Sequence, residues 1–149
     1  MQVHHTSIRT ADIHRAIAFY GQLGFEIQAQ FTTGYTLACW LAGAGGRLEL
    51  IQIPEPHPAP DPFHDEHYVG YYHLSFDLTQ VLGSKRNLAE WLANLQARLA
   101  AQSLPLQILL PPTQQIIGDR CYKVAFIADP DGLPLEFLQD LGAAAEMKV

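Results

Sequence analysis

Two histidines and two glutamates carry the chemistry this chain can offer: His5, Glu49, His73 and Glu136. They fall as one His…Glu pair in each half, separated by 44 residues in the first half and 63 in the second. Imidazole nitrogens and carboxylate oxygens together suit a divalent Zn, Ni, Mn, Co or Fe(II) ion, and ligand type alone does not choose among them. An octahedral ion with four protein ligands keeps two positions open, which suits a substrate that binds through two adjacent oxygens. With three ligands, three positions open, enough for a bidentate substrate plus O₂. Taken singly, each histidine reads as an ordinary core or surface residue. The repeated placement makes them candidate ligands.

Those four residues need elements to aim them. In the first half, residues 2–10 read as a strand. A helix follows from Asp12, whose carboxylate can cap the N–H groups of the first turn. Ile13, Ala16, Ile17, Tyr20 and Leu23 recur at helical spacing and should face the core. Gly24 fits the position just past a helix end. Residues 25–31 and 35–41 read as strands around a turn at Gly34. The glycine tract 43–46 is a turn into a strand over 47–53. The order is β-α-β-β-β.

Residues 54–68 hold five prolines, at 54, 56, 58, 60 and 62. Proline lacks an amide donor and fixes φ, so this connector is an extended linker or a loop over a cleft mouth. The second half then repeats the first. Residues 69–78 read as a strand, and the helix 87–101 sets Leu88, Trp91, Leu92, Leu95 and Leu99 on one stripe. Residues 104–110 form a strand that Pro111 and Pro112 should end, before a loop through Gly118. Strands at 122–128 and 133–139 flank the β-turn Asp129-Pro130-Asp131-Gly132. This second β-α-β-β-β unit makes an internal repeat. The chain reads as one domain, 1–149, with modules 1–53 and 69–141 joined by the connector.

A strand sends alternate side chains to opposite faces. Val3, His5, Ser7 and Arg9 therefore share one face, as do Arg47, Glu49, Ile51 and Ile53. Tyr71, His73, Ser75 and Asp77 go together, as do Pro134, Glu136 and Leu138. Each histidine is expected in the first strand of its repeat and each glutamate in the fourth. A pseudo-twofold axis between the repeats would send four ligands to one point.

The composition narrows the partners. A chain of 149 residues, 48% hydrophobic, suits a folded globular protein that buries its own core. The formal net charge is −6, and Lys and Arg are scattered, so no nucleic-acid partner is expected. No apolar run approaches 18 residues, and the N-terminus lacks a basic region followed by an apolar one, so neither a membrane span nor a signal peptide is expected. Cys39 and Cys121 lie in apolar strands and read as reduced core residues of a cytoplasmic protein. The connector histidines His57, His64 and His67 read as solvated side chains, although His64-Asp65-Glu66-His67 is patterned like a metal tract. His14 should face solvent. Tyr35, Trp40, Tyr71, Tyr72 and Tyr122 read as residues of the core or of the cleft lining.

Residues 4–26 (HHTSIRTADIHRAIAFYGQLGFE), 47–52 (RLELIQ), 71–78 (YYHLSFDL) and 124–139 (VAFIADPDGLPLEFLQ) resemble the vicinal oxygen chelate superfamily, which includes glyoxalase I, bleomycin-resistance proteins and extradiol dioxygenases. With the helices between them, these segments span nearly the whole chain. The resemblance implies an α+β fold of paired βαβββ modules, a cupped mixed sheet with helices on its outer face and one divalent ion in the cup. The glyoxalase I pattern of ligands falls on His5, Glu49, His73 and Glu136. His5 is preferred to His4 because the family ligand directly precedes the Thr of its motif, here Thr6. By resemblance Glu136 is the catalytic base, with Glu49 as its counterpart, and the chain is a homodimer.

The sequence also departs from that family. FYGQLGF is one residue shorter than the usual FYxxxLGF, and Ile53 stands where glutathione-dependent members carry Asn. Arg9 does match a glutathione position of some members. A metal-dependent lyase or isomerase working through an enediolate on a small substrate is the reading these residues favour. An Fe(II) or Mn(II) ring-cleaving dioxygenase using His5, His73 and Glu136 is the alternative, and Glu49 counts against it by filling a position O₂ needs. A non-catalytic small-molecule binder of the resistance type is the third reading, and the intact tetrad counts against that.

Overall fold

The structure, a computed structural model, describes every residue except 44, 59, 62, 68 and 146–149. Ala44 of the glycine tract, and Pro62 and Tyr68 of the connector, thus lie outside the described residues. The chain divides into two compact units, Met1–Ala59 and Pro60–Val149. Each is an α+β unit built on one four-stranded mixed sheet.

The first unit runs β1 (Thr6–Thr10), α1 (Ile13–Gln22), β2 (Glu26–Thr33), β3 (Thr36–Gly43) and β4 (Gly46–Gln52). Its strand order is β1-β4-β3-β2, with β1 parallel to β4 and the rest antiparallel. Asp12 caps α1 as expected, its Oδ1 accepting from the His14 and Arg15 amides at 3.0 and 3.1 Å. The helix buries Ile13, Ala16, Phe19 and Tyr20. The sheet contributes Ile8, Cys39, Leu41, Leu48 and Leu50 to the same core. Gly24 leaves α1 at φ +92°, a conformation that glycine adopts without strain. Its carbonyl oxygen stands 2.7 Å from where a Cβ on Gly43 would lie, so the end of β3 also demands glycine.

The second unit runs β5 (Leu74–Asp77), α2 (Thr79–Leu82), α3 (Leu88–Ala100), β6 (Gln107–Ile117), β7 (Arg120–Ala128) and β8 (Pro134–Ala143). Its order is β5-β8-β7-β6, again with the first and last strands parallel. Asn87 caps α3, and Leu88, Leu92, Leu95 and Leu99 are buried. Asp129 Oδ1 closes the expected turn by accepting from the Asp131 and Leu133 amides at 2.9 and 2.8 Å. Both cysteines are buried thiols.

Two expectations need correction, and one element is new. The first strands are shorter than read, starting at Thr6 and Leu74, so His5 and His73 each lie one residue ahead of a strand and not within it. Pro111 and Pro112 do not end a strand, and no loop precedes Gly118. β6 passes through both prolines with a register shift between Leu110 and Thr113. β6 is an edge strand, where a missing amide donor costs no ladder bond. The single turn α2 had no expectation; Asp77 Oδ1 accepts from the Thr79 amide at 2.8 Å and starts it. No helix among the described residues is long and apolar enough to cross a membrane.

One device recurs in both units. Gln52, near the end of β4, accepts the first amide of α1 (Ile13 N to Gln52 Oε1, 3.0 Å). Gln139 in β8 does the same for α3 (Leu88 N to Gln139 Oε1, 3.1 Å) and donates back to the Arg86 carbonyl at 3.2 Å. Each helix N-terminus is thereby tied to the strand that carries a candidate glutamate three residues earlier.

Gln139 is buried, so Gln139→Leu should cost about 1–3 kcal/mol by leaving the Leu88 amide without its acceptor. That loss reads as a lower urea midpoint at unchanged slope. A pH-dependent effect should come from Asp140. Arg120 Nε donates to its Oδ2 at 2.6 Å and holds the carboxyl below the usual aspartate range. A carboxyl depressed in the folded state stabilises above its unfolded value and loses that contribution as the pH falls through the folded value. The difference in Tm between wild type and Arg120→Gln should therefore hold steady above about pH 5 and shrink below about pH 4.

Candidate functional site

In both units the parallel pairing of first and last strands sets the site. Ser7 lies opposite Glu49 on β1 and β4, and Ser75 lies opposite Glu136 on β5 and β8. Each serine donates to its glutamate, Ser7 Oγ to Glu49 Oε2 at 2.8 Å and Ser75 Oγ to Glu136 Oε2 at 2.6 Å. Each histidine two residues before its serine reaches the same carboxylate oxygen. His5 Nε2 stands 3.3 Å from Glu49 Oε2, and His73 Nε2 stands 3.2 Å from Glu136 Oε2. The same His-x-Ser over the same Glu occurs in both units. The side chains are 14–28% exposed, so they are mostly desolvated yet reachable.

These distances bear on a metal. Two ligands each about 2.1 Å from an ion and at a right angle stand about 3 Å apart. A charge-assisted N–H···O bond would be shorter, about 2.7–2.9 Å. Both pairs match the spacing of neighbouring ligands better than that of a tight ion pair, and the donor set of imidazole nitrogen and carboxylate oxygen fits a divalent ion. Within neither unit does a third His, Cys, Asp or Glu join the pair, among the described residues.

The two pairs differ in what surrounds them. Trp40 lies opposite Glu49 on β3, and its Nε1 donates to Glu49 Oε1 at 3.0 Å. Glu49 thus has both oxygens held. Partial burial pushes its carboxyl up, but the Trp40 and Ser7 hydrogen bonds and the nearby His5 and His4 rings prevail and hold it below the usual glutamate range. His4 makes its hydrogen-bond contacts elsewhere. Its Nδ1 meets His5 Nδ1 at 2.8 Å, and its Nε2 meets Arg47 Nη1 at 2.8 Å. Arg47 also donates from Nε to Gln28 Oε1 at 2.5 Å and lies over the Trp40 ring.

In the second unit, Phe126 takes the place of Trp40 opposite Glu136. Phenylalanine offers no donor, and the hydrogen bonds of Glu136 among the described residues run to Oε2 alone. His73 is held by rings: Tyr72 at 4.4 Å and Phe126 at 5.0 Å, both edge-on. Its Nδ1 is buried without a hydrogen-bond partner. Burial and then the Glu136 charge push the Tyr72 phenol up. Phe63 of the connector lies 5.2 Å from Phe126 and extends this aromatic wall.

Of the four candidate ligands, the structure brings His5 to Glu49 and His73 to Glu136. Of the connector histidines, His64 pairs with Asp61 at 2.7 Å on the surface, and His57 and His67 are exposed. His14 is exposed as expected. The contacts of Ser7 and Ser75 with the glutamates and of Phe63 with Phe126 have no counterpart in the sequence reading, and Trp40 reads there only as a core or lining residue. The repeated His-x-Ser at 5–7 and 73–75 was the available signal for the serines. Partners that orient metal ligands typically contribute 10–100-fold in affinity. For a Glu136 that serves as a metal ligand, Ser75→Ala is expected to weaken Zn(II) binding about 10-fold or more, measured by competition with a chromophoric chelator.

Residues 2–137 match the family model described as the Glyoxalase/Bleomycin resistance protein/Dioxygenase superfamily. Among solved structures, the chain is similar to a glyoxalase family protein from Enterococcus faecalis (21% identity, TM-score 0.64, covering 93% of this chain and 97% of that one). It is also similar to a glyoxalase family protein from Bacillus cereus (15%, TM-score 0.66, 95% of each). A third is the trypanothione-dependent glyoxalase I of Leishmania major (23%, TM-score 0.57, 93% and 86%). At these identities the likeness shows the fold. No curated protein matches.

Proposed function

The chain belongs to the Glyoxalase/Bleomycin resistance protein/Dioxygenase superfamily, and on that footing we propose that it is a metal-dependent lyase or isomerase of glyoxalase type, acting on a small substrate with adjacent oxygens. The observation that carries this is the twofold occurrence of a His Nε2 and a Glu Oε2 at ligand spacing, 3.3 and 3.2 Å, each over a serine donor. The ligands would be His5, Glu49, His73 and Glu136, from the two pairs. When bound, such an ion would supply Lewis-acid polarisation of a substrate carbonyl.

The protein's own groups divide the remaining work. Glu49, fixed by Trp40 and Ser7, serves as an anchored carboxylate. Glu136 has Oε1 uncommitted, and that oxygen is the one suited to take a proton from a substrate carbon and return it to the neighbouring carbon. Ser75 holds Oε2 while Oε1 works. Tyr72, Phe126 and Phe63 give that side an aromatic lining against which a small substrate can rest.

Glu136→Gln should lower kcat on α-ketoaldehyde–thiol adducts about 100-fold or more while an ion is retained. Glu49→Ala should instead release the ion. Elemental mass spectrometry after loading with Ni, Zn, Mn and Fe(II), paired with turnover assays, reads both. Wild type that carries no stoichiometric ion after loading would overturn the proposal.

A further inference from the structure

The contacts of His4 do more than fill space, because arginine fixes their direction. Arg47 has only donors, so the 2.8 Å contact between its Nη1 and His4 Nε2 requires that nitrogen to accept. The neutral His4 proton then sits on Nδ1 and is donated across 2.8 Å to His5 Nδ1. His5 Nδ1 therefore accepts, and the His5 proton sits on Nε2, facing Glu49 Oε2. The chain runs one way, from Arg47 through His4 and His5 to Glu49.

That direction is wrong for a metal at His5. A ligating Nε2 must present its lone pair, so the His5 proton must move to Nδ1. Nδ1–H then needs an acceptor, and His4 Nδ1 is the nitrogen in reach. His4 in turn carries its proton on Nε2, which places donor against donor at Arg47. The total number of protons on the two rings is unchanged: His5 Nε2 gives one up to solvent, one passes from His4 Nδ1 to His5 Nδ1, and His4 Nε2 gains one from solvent.

We propose that His4 and Arg47 form a polarity relay for the first ligand pair, in which metal capture at His5 reverses the His4–His5 hydrogen bond and detaches Arg47 from the His4 ring. His4 is a positioning residue that orients the ligating ring. Arg47 opposes capture by holding the metal-free direction, and it has other holds when detached: Gln28, the Trp40 face and the His4 carbonyl at 3.4 Å. The second pair has no counterpart among the described residues, where His73 Nδ1 finds no hydrogen-bond partner. This inference rests on reading His5 and Glu49 as ligands.

Long-range ¹H–¹⁵N spectra of the imidazoles test it directly, on metal-free and Zn(II)-loaded protein. Metal-free wild type should show His4 protonated at Nδ1 and His5 at Nε2, and zinc should reverse both. Zinc titrations should give opposite signs for two surface variants. Arg47→Met should tighten binding about fivefold, the worth of one ordinary hydrogen bond. His4→Phe should weaken it about 10-fold or more. Zinc that binds while His4 keeps its Nδ1 proton, or an Arg47→Met protein that binds more weakly, would overturn the relay and leave the functional proposal standing. Wild type that binds no zinc would sink both.

Discussion

Everything in either unit depends on the parallel pairing of its first strand with its last. That pairing joins segments about 40 to 60 residues apart in sequence, and it is the step that sets a serine against a glutamate. The last strand then uses both its faces. Glu49 and Glu136 point one way, and three residues on, at the opposite parity, Gln52 and Gln139 point to the helix side and take its first amide. A slip of one residue would turn the carboxylate into the core and the amide cap into water. Register, helix docking and ligand orientation are thus one constraint, imposed by the apolar residues between them, Leu50 and Phe137 among others.

The same scaffold gives its two carboxylates different freedom. The difference comes from one cross-strand neighbour, Trp40 against Phe126. An indole N–H occupies the second oxygen of Glu49, while a phenyl ring leaves that of Glu136 alone. The histidines differ in the same sense. His5 is steered by hydrogen bonds through His4, whereas His73 is steered by packing between Tyr72 and Phe126. One pair is held by polar contacts and the other by apolar ones.

Much of this was legible in the residues. The cap at Asp12, the leucine stripe of α3, the turn at residues 129–132 and the pairing of each histidine with its glutamate all follow local rules that one sequence states openly. What stayed hidden depended on knowing which strands lie at an edge and which residues face each other. Pro111 and Pro112 break a central strand, so they read as a terminus until β6 is seen at the sheet margin. Ser7 and Ser75 look like filler until their partners across the ladder are known. The setting of the two histidines was off by one residue, because strand ends fray beyond the last paired residue.

The prolines of β6 have a consequence for the life of the protein in a crowded solution. An eleven-residue strand at the margin of a sheet, with Ile108, Ile116 and Ile117 exposed, is the kind of unpaired ribbon on which another copy can add a strand. Two adjacent prolines and the shifted register at its middle remove the amide donors and break the regular spacing that such growth needs. The opposite design appears on β2, the margin of the other sheet, which has no proline but carries Glu26, Gln28, Gln30 and two threonines. These two edge strands thus disfavour strand addition by different means, one by geometry and the other by polarity.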